Sequence, residues 1–432
     1  MTELDEHAAV RRLIDRFGFG AKPGALAKAQ DAGFATTLDA VLAPGTDPGA
    51  QATPVPELGP EPEKPSKKQP DPQAKKRAKQ ELKKQSAAIT EWWLDRMAAT
   101  DAPLVERMTW FWHGHFATSN QKVRSARLML AQNETFRRLG RGDFGALAHA
   151  MIVDPALLVW LDGQKNKVGA ANENLGREFM ELFSLGIGNY SETDVREASR
   201  ALTGWLVDRD AGKARLVPRR HDTKDKTVLG HTGNLDASSF VDILVAHPAS
   251  PRFIAGRLWA RLVSATPPPP DVLNRLVAAY GPGHDITALL RAIASEPAFK
   301  DSATTLVKQP VEWLVGLLRG LGLRPSQLPE KTKLRVLAGL RGMGQIPFLP
   351  PSVGGWPSAA SWLTTAAGLA RVQTARLLTE ASKVPDGTDA DAAARLLGVD
   401  KWSDRTRAAL AKVSGKDLVA VAAASPEYVV SG

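Results

Sequence analysis

The sequence predicts an all-α protein: a multi-helix globular body with long ordered loops and at most a few short strands. Three observations carry this. Apolar residues recur at helical spacing through most of the chain. Strand-like alternation is nearly absent, with "KTVLG" near Lys226 the one short candidate. The 30 prolines cut the helices short, because the residue before a proline avoids the helical region.

The chain has 432 residues, enough for a large core, and its 43% hydrophobic and 24% charged residues fit a soluble globular protein. Apolar runs fall short of the roughly 20 residues a membrane span needs. The start, "MTELDEHAAVRRLIDRFGFG", is charged and lacks the apolar stretch of a signal peptide. A cytoplasmic location is therefore expected, with export by another route left open. There is no cysteine, which removes disulfides, thiolate metal ligands and a cysteine nucleophile from consideration.

In chain order, residues 1–43 read as the N-terminal helical part of the body. Residues 44–85 read as a disordered proline-rich and basic insertion. "PGTDPGAQATPVPELGPEPEKPSKKQPDPQ" has too few large apolar groups to offset its ordering entropy. "AKKRAKQELKKQ" after it reads as a solvated helix start. Lys64 to Lys84 holds nine basic and two acidic residues, so +7 of the net +10 sits there. Weak, non-specific nucleic-acid contact is the partner this run suggests. Residues 86–432 read as the main helical domain. Ile89, Trp92, Trp93 and Met97 share one helix face, and Leu104, Met108, Phe111 and Trp112 another. Helices end at Asp154-Pro155, Glu296-Pro297 and Ser425-Pro426. One more starts near Pro248. Two long loops interrupt them. Arg219 to Asn234 is polar with two histidines. Met343 to Trp362 is too rich in proline for a helix and too apolar for disorder, so it packs on the body and is placed to line a pocket.

The richest stretch is "NENLGREFMELFSLGIGNYSETDVREASRALTGW", Asn172 to Trp205. On a helix from Leu175 to Leu185, Leu175, Phe179, Leu182 and Phe183 form a core face, with Asn174, Glu178 and Glu181 stacked beside it. Arg177 stands on the opposite flank, four residues from Glu173 and Glu181. Gly186 is suited to a left-handed helix end. Ser191 and Asp194 have the spacing of a capping box opening a second helix. An EF-hand is rejected, since Phe183, Leu185 and Ile187 would fall at its early ligand positions. Capping leaves Glu178 unexplained. A carboxylate beside an apolar stripe needs an ion-pair partner or a raised pKa, so it is either structural or functional.

Three further segments hold candidate partners. "WFWHGHF" sets His113 and His115 two apart, at an expected helix break at Gly114, where both rings could face one metal ion. "RHDT" supplies His221 and Asp222. His247 reads as structural. Walker, dinucleotide, Gly-x-Ser-x-Gly and His-Glu-x-x-His motifs are absent.

The ordered segments "RRLIDRFGFGAKPGAL", "WFWHGHFATS", "DPALLVWLDGQKN", "NENLGREFMELFSLGIGNYSETDVREASRALTGW", "RRHDTKDKTVLG", "HPASPRFIAGRLW", "GQIPFLPPSVGGWP" and "ASPEYV" resemble the bacterial family catalogued as domain of unknown function 1800. The resemblance spans nearly the whole chain. It implies a mostly helical protein of this length and no established activity. It also implies, as partner, a protein similar to sulfatases and alkaline phosphatases encoded nearby. Many members look exported, and this chain departs there. It also has Ala171 and Gly114 where members commonly carry proline and asparagine.

The leading expectation is a binding module. One polar pocket would hold a small polar ligand or a partner-protein segment. Asn174, Arg177, Trp205 and Trp356 are its candidate ligand contacts. The alternative is a hydrolase that places a divalent metal on His113, His115 and His221. Glu178, Glu181 and Asp222 are then the catalytic carboxylates. A second alternative is a structural interaction protein whose polar strip only locks helices together.

Overall fold

The computed structural model of the protein describes residues 3–43, 45–62 and 71–431. Helices dominate. The strands form three antiparallel pairs, Trp205–Asp208 with Lys213–Leu216, Lys226–Val228 with His231–Gly233, and Leu306–Val307 with Val430–Ser431. The middle pair includes the "KTV" strand. No helix among the described residues is long and apolar enough to cross a membrane.

The centre is the helix Pro103–His115, buried continuously from Glu106 to His115. Such a helix needs large apolar groups on every side, and "RMTWFWHGH" supplies them. Leu104, Met108, Phe111 and Trp112 join one hydrophobic cluster, built mainly from helices between residues 6 and 299. Trp110 joins a second, which runs through the Pro72–Ala99 helix and residues 311–429. The two clusters meet across this helix. Its charged members are paired: Glu106 accepts from Arg96 at 2.7 Å, from Arg137 at 2.6 and 2.9 Å, and from the Trp93 indole at 2.9 Å.

The N-terminal helix Glu6–Arg16 docks on the first cluster through Ala9, Val10 and Leu13. Two buried arginines secure it. Arg12 donates to Phe299 O and Asp301 O, and Arg16 to the carbonyls of Leu262, Val263, Thr304 and Ser431. Carbonyls at the ends of elements such as Ala249–Leu262 have no helical partner of their own, and the guanidinium groups supply one.

Disorder is the expectation over 44–85, but residues 45–62 and 71–85 are structured. Asp47 caps the short helix Pro48–Gln51, and its carboxylate also accepts from Asp101 N at 2.8 Å. Gln85 donates to Leu58 O and Pro60 O at 2.6 and 3.1 Å. The Trp92 indole donates to Thr53 O. Side chains of the segment itself, Asp47 and Gln85, and the Trp92 indole of the body make these contacts, which a count of the segment's apolar groups misses. From Pro72 the chain is helical to Ala99, and Lys75, Lys76, Arg77, Lys79, Lys83 and Lys84 are exposed on its first turns. Lys64, Lys67 and Lys68 of the basic run lie outside the described residues.

The loop Met343 to Trp362 packs inward, with Phe348, Trp356 and Trp362 buried. Gly355 has a φ of 84°, and an added Cβ would stand 2.5 Å from Gly114 O. The loop's close approach to the central helix therefore requires glycine.

Candidate functional site

The predicted break at Gly114 does not occur. The helix runs on to His115. One glycine costs a helix only about 1 kcal/mol, and the burial of Trp112, His115 and Phe116 outweighs it. The consequence for the His-x-His reading is geometric. Residues two apart on a helix point roughly 200° apart, so the rings diverge. His113 lies in an aromatic box of Trp93, Trp110, Phe348 and Trp356, and its Nε2 accepts from Phe348 N at 3.0 Å. His115 turns the other way, and its Nε2–H donates to Phe183 O at 2.9 Å. Burial pulls both imidazoles down to about 3, so both are neutral. For His115 the nearby Arg257 adds to this.

The helix expected over Leu175 to Leu185 changes form partway. Asn174–Glu178 is α-helical, while Phe179–Ser184 is a π-helix, with Leu185 N bonded back to Met180 O at 2.8 Å. Such π-turns are rare and recur at functional sites. This one lies next to His115, whose ring bonds the Phe183 carbonyl. Gly186 follows at φ 83°, the left-handed end predicted for it. The Ser191–Asp194 capping box forms as predicted.

The polar strip is less convergent than expected. Arg177 pairs with Glu173 at 3.0 Å and Glu192 at 2.7 Å, not with Glu181. Asn174 is exposed at the helix start. Glu178 is half-buried and has no hydrogen bond or ion pair among the described residues. Desolvation first, and the Glu181 charge second, hold its carboxyl above the usual range. The buried ion pair weighed for it is not there. Glu181 accepts a hydrogen bond from the Tyr190 hydroxyl, whose pKa is pushed up to about 12, by burial first and by that bond second.

His221 and Asp222 sit elsewhere. The His221 Nδ1–H donates to Thr203 O at 2.9 Å. Asp222 binds Arg200 at 2.8 Å, the main cause of its lowered pKa. Trp205 is half-buried at the start of a strand, opposite Leu216. Among the described residues no three His, Asp or Glu side chains stand close enough together to hold a metal ion. The set assembled for a metal-dependent hydrolase, His113, His115 and His221 with Glu178, therefore does not converge.

Three members of the predicted set do meet, around a cleft that sequence reasoning did not locate. One chamber, about 540 Å³, is lined by His115, Glu181, Phe253 and Arg257, with Val353 and Gly354 of the long loop. The adjoining chamber, about 170 Å³, shares Arg257 and Gly354 and adds Trp356, Arg107 and Arg261. A third recess shares Arg107, Arg261 and Trp356 with it as lining. The helix Ala249–Leu262 forms the common wall, presenting Arg257 and Arg261 one turn apart.

The charges in the smaller chamber are unbalanced. Arg107 pairs with Glu312 at 2.5 Å, and Lys308 with Asp15 at 3.1 Å. Arg16 is also there, engaged by carbonyls and the Ser431 hydroxyl. Arg257 and Arg261 have no ion pair among the described residues. Burial lowers both, Arg261 to about 10. The buried Arg257 Nε, Trp356 Nε1 and His115 Nδ1 lack hydrogen-bond partners. Since His115 donates through Nε2, its Nδ1 is a bare acceptor. The arginines were legible: "ASPRFIAGRLWARL" carries three arginines and no acid.

Comparison with known proteins gives a family and nothing more. The family model described as protein of unknown function (DUF1800) matches residues 12–430. No curated protein and no solved structure matches significantly.

Proposed function

The chain belongs to the DUF1800 family, whose description assigns no activity, and from the geometry we propose that it is a binding module holding a small polar ligand in the arginine-lined cleft. One observation carries this reading: buried polar atoms of Arg257, Trp356 and His115, unpaired among the described residues, border two chambers that share Arg257 and Gly354 as walls. A buried donor or acceptor without a partner costs about 1–3 kcal/mol, a cost that a bound polar molecule would remove.

The test is ligand-observed NMR with a panel of small polar molecules, run on the wild type and on Ala260→Trp. Ala260 is an exposed residue of the cleft wall, so tryptophan there blocks the chamber without entering the core. Binding by some panel member, lost in the variant, is the expected result. A panel without binders, or binding indifferent to the blockade, refutes the proposal. The sulfatase-like partner remains a proposal drawn from the resemblance alone. Co-purification from a host expressing both proteins would test it.

A further inference from the structure

Resting on that reading, we infer that the ligand is a small multivalent oxyanion, gripped by Arg257 and Arg261 from successive turns of one helix. The argument starts with what each cation in the smaller chamber already has. Arg107 and Lys308 have carboxylates of their own. Arg16 has spent its donors on backbone carbonyls and the Ser431 hydroxyl, which carry no formal charge. Among the described residues Arg257 and Arg261 have neither kind of partner. They stand four residues apart, the spacing at which like charges on a helix repel. The field of Glu312 favours the charge on Arg261, but that carboxylate is held by Arg107. Two guanidinium groups are thus left, partly out of water, in a recess whose other charges cancel or add to theirs.

The chemistry of the missing partner follows. A guanidinium offers parallel N–H donors that match two oxygens of one carboxylate or phosphate, so the ligand is an oxyanion and not a halide. Two such groups, with Arg16 behind them, call for more than one negative charge. A monoanion would leave one arginine uncompensated. The space limits size: about 170 Å³ is well below the roughly 300–1,000 Å³ of drug-sized sites, so the charged head is small. The rest of the molecule has room in the larger chamber, where Leu182, Leu185, Phe253 and Val353 are apolar and His115 Nδ1 offers an unused acceptor. Arg257 borders both spaces and orients the head relative to the body. Phosphate esters and short polycarboxylates share this chemistry.

The experiment uses the full chain and two probes, inorganic phosphate and citrate, with acetate as the monoanion control and sodium chloride balancing ionic strength. Melting temperature is followed against probe concentration, because a ligand that binds only the folded state raises it in a saturable way. Phosphate or citrate should raise the midpoint saturably, and acetate far less. Arg257→Gln and Arg261→Gln should each weaken the apparent affinity at least tenfold. Arg257→Lys, which keeps the charge and loses the fork, should weaken it too. Arg376→Gln, an exposed arginine on another helix, should not. Equal shifts in all variants would mean that the anions bind elsewhere, overturning the inference. Binding of neutral molecules sensitive to the Ala260→Trp blockade, without any anion effect, would overturn the oxyanion and leave the binding module standing. With neither class binding, both fall.

Discussion

Asp154 offers a sharp test of the reasoning about burial. Its side chain is buried, caps the helix Pro155–Trp160 by accepting from Leu157 N at 2.8 Å, and accepts from Gln132 Nε2 at 2.7 Å. No cation pairs with it among the described residues, and desolvation pushes its carboxyl up to about 7 from an ordinary 3.8. Below roughly pH 4 the group is protonated in both folded and unfolded chains. Between roughly pH 4 and 7 the unfolded chain releases the proton and the folded chain keeps it. Stability therefore falls as pH rises, by about 1.4 kcal/mol per pH unit. Above pH 7 the cost levels off at about 4 kcal/mol. Two buried histidines act in the opposite sense. Held neutral near a pKa of about 3, they lose stability as pH falls below 6.5. They mask Asp154 in the wild-type curve, so only a difference between variants can reveal it. Asp154→Asn keeps the capping oxygen and cannot ionise. Urea melts of both proteins at pH 5 and pH 8 are the assay. The variant should gain roughly 2–3 kcal/mol relative to wild type on going from pH 5 to pH 8. An unchanged difference at the two pH values would refute the assignment of a costly buried carboxylate.

Glu178→Gln removes a charge the fold disfavours, so thermal melts at pH 7 should show stability unchanged or raised, within about 1 kcal/mol. Glu106→Gln strands Arg96 and Arg137, and denaturant titration should show a loss of roughly 3–5 kcal/mol. Gly355→Ala combines a left-handed backbone with a Cβ pressed on Gly114 O, and should cost about 2–4 kcal/mol in the same assay. We expect any nucleic-acid affinity to be weak, to fall steeply with salt, and to vanish when Lys75, Lys76, Arg77 and Lys79 are neutralised together, as filter binding would measure.

What could be read from the sequence depended on whether the signal was local. The Ser191–Asp194 capping box and the Gly186 helix end rest on contacts within a few residues, and both were legible. So was the inward packing of Met343 to Trp362, because its composition fits neither helix nor disorder. The meeting of His115, Glu181, Trp356 and Arg257 depends on how distant helices pack, and spacing says nothing about that. The π-turn at Phe179–Ser184 has no recognised sequence signal. The arginine pair has one, the acid-free "ASPRFIAGRLWARL", but charge along the chain is dominated by the Lys64 to Lys84 run. Electrostatic fields depend on separation in space, and there the cleft gathers cations from residues 16 to 308.

The arginine clasp on the N-terminal helix has a consequence for synthesis. Arg16 and Ser431 are 415 positions apart. At about 5–20 residues per second, a ribosome takes roughly 20–80 s to make the second after the first. Throughout that interval Arg16 lacks its Ser431 acceptors, whereas the carbonyls of Leu262, Val263, Phe299, Asp301 and Thr304 that complete the clasp arrive before them. The clasp on the Glu6–Arg16 helix is complete only once Ser431 is made. A nascent chain therefore holds this amphipathic helix by an incomplete clasp until the Val430–Ser431 strand is made.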